Sequence, residues 1–173
     1  DYSLRRMGLD SLPRKTSIFV TLPDGFSGAE SIAPILAALR VSRPDARVSV
    51  LCSGACAEAL SRRPDCADAV IELPPRAFGK LPRLKFFGRL SLSYPDINIV
   101  FDGSVAADME AFALGAQQRN AVESSRRRHF MTGVYKAAGG GGEPNPRLIL
   151  ETLEYFGMKS ADCAEIKQSE VKL

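Results

Sequence analysis

No stretch of 18 consecutive apolar residues occurs in the 173-residue chain, so no segment of it is expected to cross a bilayer as a helix. The first 16 residues carry Arg5, Arg6, Arg14 and Lys15 without a continuous apolar core, which argues against a secretory signal peptide. Histidine occurs once, at His129, and none of the four cysteines (Cys52, Cys56, Cys66, Cys163) forms a C-x-x-C pair. A zinc site is therefore not expected, and free thiols fit a reducing cytoplasm. Net charge is small, +3 with a pI near 8.8, too mild to imply whole-molecule attraction to nucleic acid. Missing too are the glycine signatures of nucleotide loops. The first strand-to-helix turn has neither G-x-G-x-x-G nor Gly-Lys-Ser/Thr, and the second strand ends in Leu51-Cys52-Ser53 rather than in a ribose-binding acid. A nicotinamide dinucleotide site is not expected.

What the chain does have is enough apolar content, 45%, to bury the core of one domain. Its organising stretch is 17–39. Ile18, Phe19 and Val20 form a short β-branched and aromatic run of the kind buried on both faces of a parallel sheet, and Pro23 stops it. After the loop Asp24-Gly25-Phe26-Ser27-Gly28, the residues Ile32, Ile35, Leu36 and Leu39 recur at helical spacing. The plain reading of Gly25 and Gly28 is a tight turn; the functional one is a loop at a carboxyl strand end, where sites gather in such folds.

The rhythm continues. Strands are expected over 46–52, 69–73 and 97–101, with further short ones over 119–122 and 130–135 flanking a turn that holds Arg126, Arg127 and Arg128. Helices are expected over 29–39, 55–62 and 106–114, the last closed by Gly115, and over 146–156 with Asn145 as cap and Pro146 at its first position. Cys52 and Cys56 read as small buried apolar residues. Between the third and fourth strands lies a basic segment (Arg76, Lys80, Arg83, Lys85, Arg89) interleaved with Phe78, Leu84, Phe86, Phe87 and Leu90. Its aromatics are expected on the sheet and its charges on a solvated face. Residues 139–142 read as a flexible glycine loop. The alternation predicts a doubly wound, Rossmann-like parallel α/β sheet over 17–158, preceded by an extension (1–16) and followed by a linker or tail (159–173).

Ser42-Arg-Pro-Asp-Ala-Arg-Val-Ser-Val-Leu51, followed by Pro64-Asp-Cys-Ala-Asp-Ala-Val-Ile-Glu-Leu-Pro74, resembles the amino-terminal domain of the family 9 glycosyltransferases, the bacterial ADP-heptose:lipopolysaccharide heptosyltransferases. So do Tyr94-Pro-Asp-Ile-Asn-Ile-Val-Phe-Asp-Gly-Ser104 and Leu153-Glu-Tyr-Phe-Gly157. The resemblance implies one half of a GT-B arrangement, the half that binds a lipid-linked acceptor sugar. A second domain of the same parent chain would then bind the nucleotide-sugar donor, with no metal or other cofactor. It also implies a cytoplasmic protein, peripheral at the inner membrane, with an anionic glycan acceptor.

Two positions depart from the family pattern. The first loop of the family usually ends in Gly-Asp, the Asp being the general base, whereas Ser27-Gly28 stands there in this chain; the family's Asp-Leu-Gln-Gly is here Val100-Phe-Asp-Gly103. Inverting transfer needs a base to take a proton from the attacking hydroxyl. Asp24 is the first candidate and Glu30 the second, each also readable as an ordinary turn or helix-start acid. Ser27, Gly28, Asp102 and Ser104 are candidate acceptor contacts. Arg126, Arg127 and Arg128, with the Arg76 to Arg89 face, are candidates for charge-assisted bonds to acceptor phosphates, or a solvated loop. The competing class is a non-catalytic module that kept the fold and binds a glycan, a lipid or a protein. A nucleic-acid role is not expected, because no aromatic stacking platform accompanies the arginines.

Overall fold

In the computed structural model, which describes residues 15–124, 128–137 and 144–157, six strands lie side by side in the order β3-β2-β1-β4-β5-β6. They are β1 (Thr16–Thr21), β2 (Ala46–Cys52), β3 (Ala69–Glu72), β4 (Ile97–Val100), β5 (Gln118–Val122) and β6 (Gly133–Tyr135). Every neighbouring pair is parallel. The helices are α1 (Ala29–Ser42), α2 (Gly54–Ser61), α3 (Lys80–Leu90), α4 (Val105–Leu114) and α5 (Pro146–Tyr155). The chain first winds outward from β1 to β3, then crosses back to place β4 on the other side of β1. The fold is thus the expected doubly wound Rossmann-like sheet.

The period of two along β1 assigns its side chains to two layers. Val20 packs with Val48, Val50 and Ile99 under α1, α2 and α5, where Ile32, Ile35, Leu36, Leu60, Ile149 and Leu153 are buried. Its neighbour Phe19 points the other way, with Leu51, Leu73 and Leu114 under Phe87 of α3. Val100 and Ala121 meet Ala107 and Ala111 of α4 on that second face. Each large side chain buried this way contributes on the order of 1.5–3 kcal/mol. Chain chemistry also sets the element ends: Asn145 accepts the Leu148 N–H at 2.9 Å ahead of Pro146, and Gly115 takes a left-handed φ of 72° that closes α4. Cys52, Cys56 and Cys66 are buried in the first layer as free thiols.

Two expectations change. β6, expected over 130–135, begins only at Gly133, and it pairs parallel with β5. The basic segment is not a uniformly solvated face, for Arg83 is 2% exposed. The terminal segments 1–14 and 158–173, the glycine loop 139–142, and Arg126 and Arg127 lie outside the described residues. Among the described residues no helix is long and apolar enough to cross a membrane.

Candidate functional site

β1 and β4 are neighbours, with Thr21 opposite Val100, so the loops leaving them open onto one rim of the sheet at the place where the strand order reverses. Asp24 follows β1, in a turn that Gly25 makes at φ +77°; Asp102 follows β4. The two acids are joined by Arg76, which stands in a short 3₁₀ turn after β3. Its Nε lies 2.6 Å from Asp24 Oδ2 and its Nη2 2.6 Å from Asp102 Oδ2. A second arginine holds the assembly from below. Arg83 donates from Nη1 to both Asp24 oxygens (3.0 and 2.9 Å) and to the Pro74 carbonyl (3.0 Å), and from Nη2 to Glu110 of α4 (3.1 Å). Its Nε is 2.8 Å from Glu110 Oε1, an ion contact without the alignment of a hydrogen bond.

Two arginines therefore face three carboxylates, and burial grades them. Arg83 and Glu110 are buried, while Arg76 and Asp24 keep 36% and 30% of their side chains in solvent. Burial pushes the Glu110 carboxyl above the usual carboxylate range, with Arg83 and Arg76 opposing it. Burial also acts to raise Asp102, but there it is outweighed. The Ser104 N–H, 2.7 Å from Oδ1, and Arg76 hold that carboxyl below its ordinary value. For Arg83, burial works to lower the pKa, and the bonds to Asp24 and Glu110 more than offset it.

A second buried pair supports the Asp102 loop. Arg128 and Asp108 of α4 are each 1% exposed, with Nη2 2.6 Å from Oδ1. The same guanidinium donates to the Val122 carbonyl (2.9 Å) and to the Asp102 carbonyl (2.7 Å). Arg128 is thus a tie between α4, the end of β5 and the rim loop, not an exposed loop charge. Ser104 caps α4, its Oγ accepting the Ala107 N–H at 3.1 Å.

The remaining sequence candidates fall as follows. Ser27 is exposed beside the rim loop. Gly28 precedes α1, its carbonyl accepting from Ser31 and Ile32, and a Cβ there would sit 2.8 Å from the Phe26 ring. Glu30 is 71% exposed and pairs with Arg63 at 2.6 Å. The structure brings Asp24 and Asp102 together and ties Glu30 to the segment after α2. Sequence reasoning missed Glu110 and Asp108 as parts of the site, and grouped Arg83 with an exposed basic face although it is buried. The signal for Arg83 was its position four residues before Phe87, on the helix stripe that faces the sheet.

Among the described residues no group of three or more His, Cys, Asp or Glu side chains is arranged to hold a metal ion. An open hollow of about 710 Å³ lies elsewhere, lined by Gly54, Ala57, Glu58, Ser61, Arg62, Val70 and Glu72 at the β3 edge. None of the rim acids lines it.

A Rossmann-like sheet with paired acids at its switch point is the class this arrangement defines. Neither a protein-family model nor a curated protein matches the sequence. Among solved structures, the chain is similar to the glycosyl transferase family 9 protein from Veillonella parvula DSM 2008, at 16% identity and a TM-score of 0.64, over 84% of this chain and 42% of that one. It is similar also to ADP-heptose lps heptosyltransferase II of E. coli, at 20% identity and a TM-score of 0.58, over 70% of this chain and 35% of that one. The chain spans less than half the length of either. The likeness is one of fold.

Proposed function

We propose that this chain is the acceptor-binding half of a glycosyltransferase of the heptosyltransferase kind. Asp24 and Asp102 would hold acceptor sugar hydroxyls, and a second domain of the parent chain would bind the nucleotide-sugar donor. The observation that carries the reading is the joining of Asp24 and Asp102 by Arg76 on one rim of a glycosyltransferase-like fold. Carboxylates accept from hydroxyls, and a sugar presents several hydroxyls. Because three carboxylates outnumber two arginines here, the rim suits a polyhydroxyl group better than a phosphate. In this reading Asp24 is the residue placed to receive the hydroxyl proton, and the acceptor is a lipopolysaccharide core or a related glycan in the cytoplasm.

A second reading has its own support. Asp24 is bonded to both Arg76 and Arg83, and Gly28 stands where the resemblance puts the base, so the rim would serve a glycan-binding module without transfer. Calorimetry separates these. The chain should bind a lipopolysaccharide inner-core oligosaccharide, and Asp102→Asn should weaken that binding about tenfold, the loss of one charged hydrogen bond. Binding of an ADP-sugar with no affinity for the oligosaccharide would overturn the acceptor-half reading. Transfer on addition of a donor domain would decide for the enzyme over the module.

A further inference from the structure

We propose that Cys52 and Cys56 form a redox-active dithiol, oxidised by a hydroperoxide to a disulfide that closes across the β2–α2 turn and shifts the rim. Cys52 is the last residue of β2, and Ser53 alone separates it from α2, whose third residue is Cys56. A connection that short folds the first turn of α2 back over the strand end. Both thiols are accordingly buried in one layer, 0% and 2% exposed, and they are hydrogen-bonded to each other. Sulfurs already in contact need only close to about 2 Å to be joined.

The surroundings divide the roles. Cys56 lies in the first turn of α2, where Ser53 makes no side-chain cap bond, so the N–H groups there and the helix dipole favour a thiolate. The Cys52 S–H donates to it, which holds the Cys56 thiol below its usual value against the opposing effect of burial and pushes the Cys52 thiol up. Cys66, the third buried thiol, is turned instead to the Arg63 carbonyl, 3.0 Å away. Access comes from α2 itself. At eight residues it is the shortest of the described α-helices, without a side-chain cap and beside the edge strand β3, so its first turn opens readily.

Oxidation runs in two balanced steps. The Cys56 thiolate attacks one oxygen of the hydroperoxide; an S–O bond forms, the O–O bond breaks, and water or an alcohol leaves with a proton from solvent. The Cys52 thiol then attacks the sulfur of that sulfenic acid; the S–S bond forms, the S–O bond breaks, and water leaves carrying the Cys52 proton. Two thiols lose two electrons, and the peroxide gains them. The backbone ties this event to the rim. The Cys52 carbonyl accepts the Leu73 N–H at 2.8 Å, and the Leu51 carbonyl accepts the Leu22 N–H at 2.9 Å. Leu73 leads into Pro74, whose carbonyl holds Arg83, and Leu22 leads into the Asp24 loop. The inference uses the ion pairs of the rim and not the acceptor assigned to them, so its failure leaves the proposed function standing.

The full 173-residue chain, reduced and freed of reductant, is treated with hydrogen peroxide, alkylated and digested with trypsin. Cleavage after Arg47 and Arg62 puts both thiols, and no other, on the peptide Val48 to Arg62. Expected is that peptide two hydrogens lighter and restored by dithiothreitol, with the Leu22 and Leu73 amides of the oxidised chain shifted by NMR. In Cys52→Ser, dimedone labels the stranded sulfenic acid at Cys56; in Cys56→Ser, Cys52 takes at least about tenfold less label. Circular dichroism checks that each variant is folded, and the wild-type mass change needs neither. A peptide of unchanged mass, a disulfide from this pair to Cys66 or Cys163, label on Cys52 in preference to Cys56, or a disulfide that leaves both amides unmoved each overturns the proposal.

Discussion

Arg83 Nη1 lies within 3.0 Å of both carboxylate oxygens of Asp24, although 59 residues separate them and only one of the two is buried. The loop that carries the candidate base is thereby fixed to α3, and through Glu110 to α4.

Removing that arginine should cost much more than an exposed charge does. Arg83→Met leaves the buried Glu110 with only the more distant Arg76, 3.9 Å away, and Asp24 held by Arg76 alone, and a loss of about 3 kcal/mol is expected in urea unfolding. The double variant Arg83→Met, Glu110→Met should recover part of it, since no unpaired buried charge is left. A double variant no more stable than Arg83→Met would count against the pair as the source of the cost.

Arg128 should behave like Arg83 and unlike a loop residue. Arg128→Gln removes the partner of the buried Asp108 and the support of the Asp102 loop, and a loss of about 3 kcal/mol is expected. A change below about 0.5 kcal/mol, the usual figure for an exposed side chain, would mean that the residue is solvated after all.

The two shifted carboxyls should pull stability in opposite directions with pH. Asp102 is held below its ordinary value of 3.8, so its contribution is present above that pH and is lost as the pH falls through the lowered pKa. Glu110 lies above its ordinary 4.5, so the folded state binds the extra proton, and stability falls as the pH rises through the interval above 4.5. Urea unfolding across pH therefore has two checks. The deficit of Asp102→Asn relative to the wild type should shrink in acid, and Glu110→Gln should gain on the wild type as the pH rises above 4.5. The reverse slopes would contradict the assigned environments.

Restoring an acid at the position implied by the family resemblance should not create activity. Gly28→Asp is permitted by a φ of −84°, but the new Cβ displaces the Phe26 ring. With this chain alone no turnover of ADP-heptose is expected from either protein, because the proposed reading assigns the donor to a second domain. Turnover by the chain as it stands would reverse the division into acceptor and donor halves.

The sheet was legible because Ile18-Phe19-Val20, Val48 to Cys52 and Ile97 to Phe101 are short, mostly apolar, β-branched stretches of the kind a doubly covered strand buries, each closed by a recognisable turn. Gly115 and Asn145-Pro146 marked helix ends through local chemistry alone. Asp24 and Asp102 were placed on one rim by the rule of carboxyl strand ends, and the structure joins them. Arg83 was hidden by its neighbours, since its charge grouped it with Lys85 and Arg89 while its spacing to Phe87 put it on the buried stripe. Asp108, three residues before the buried Ala111, was hidden in the same way. The pairings themselves, Arg76 with Asp24 and Arg128 with Asp108, depend on strand order and crossover path and have no local signature. β6 has three residues, too few for alternation to fix where it starts or which way it runs.

The central claim is that the rim between β1 and β4 is the ligand site. It is tested most directly by titrating the isotope-labelled chain with a lipopolysaccharide inner-core oligosaccharide and following backbone amide shifts by NMR. The account predicts that the largest shifts fall on Asp24 to Gly28 and Asp102 to Ser104, with the Arg76 side-chain Nε–H moving alongside them, and that Asp24→Asn with Asp102→Asn abolishes the pattern. Shifts confined to Gly54, Glu58, Arg62 and Glu72, around the hollow at the β3 edge, would contradict it.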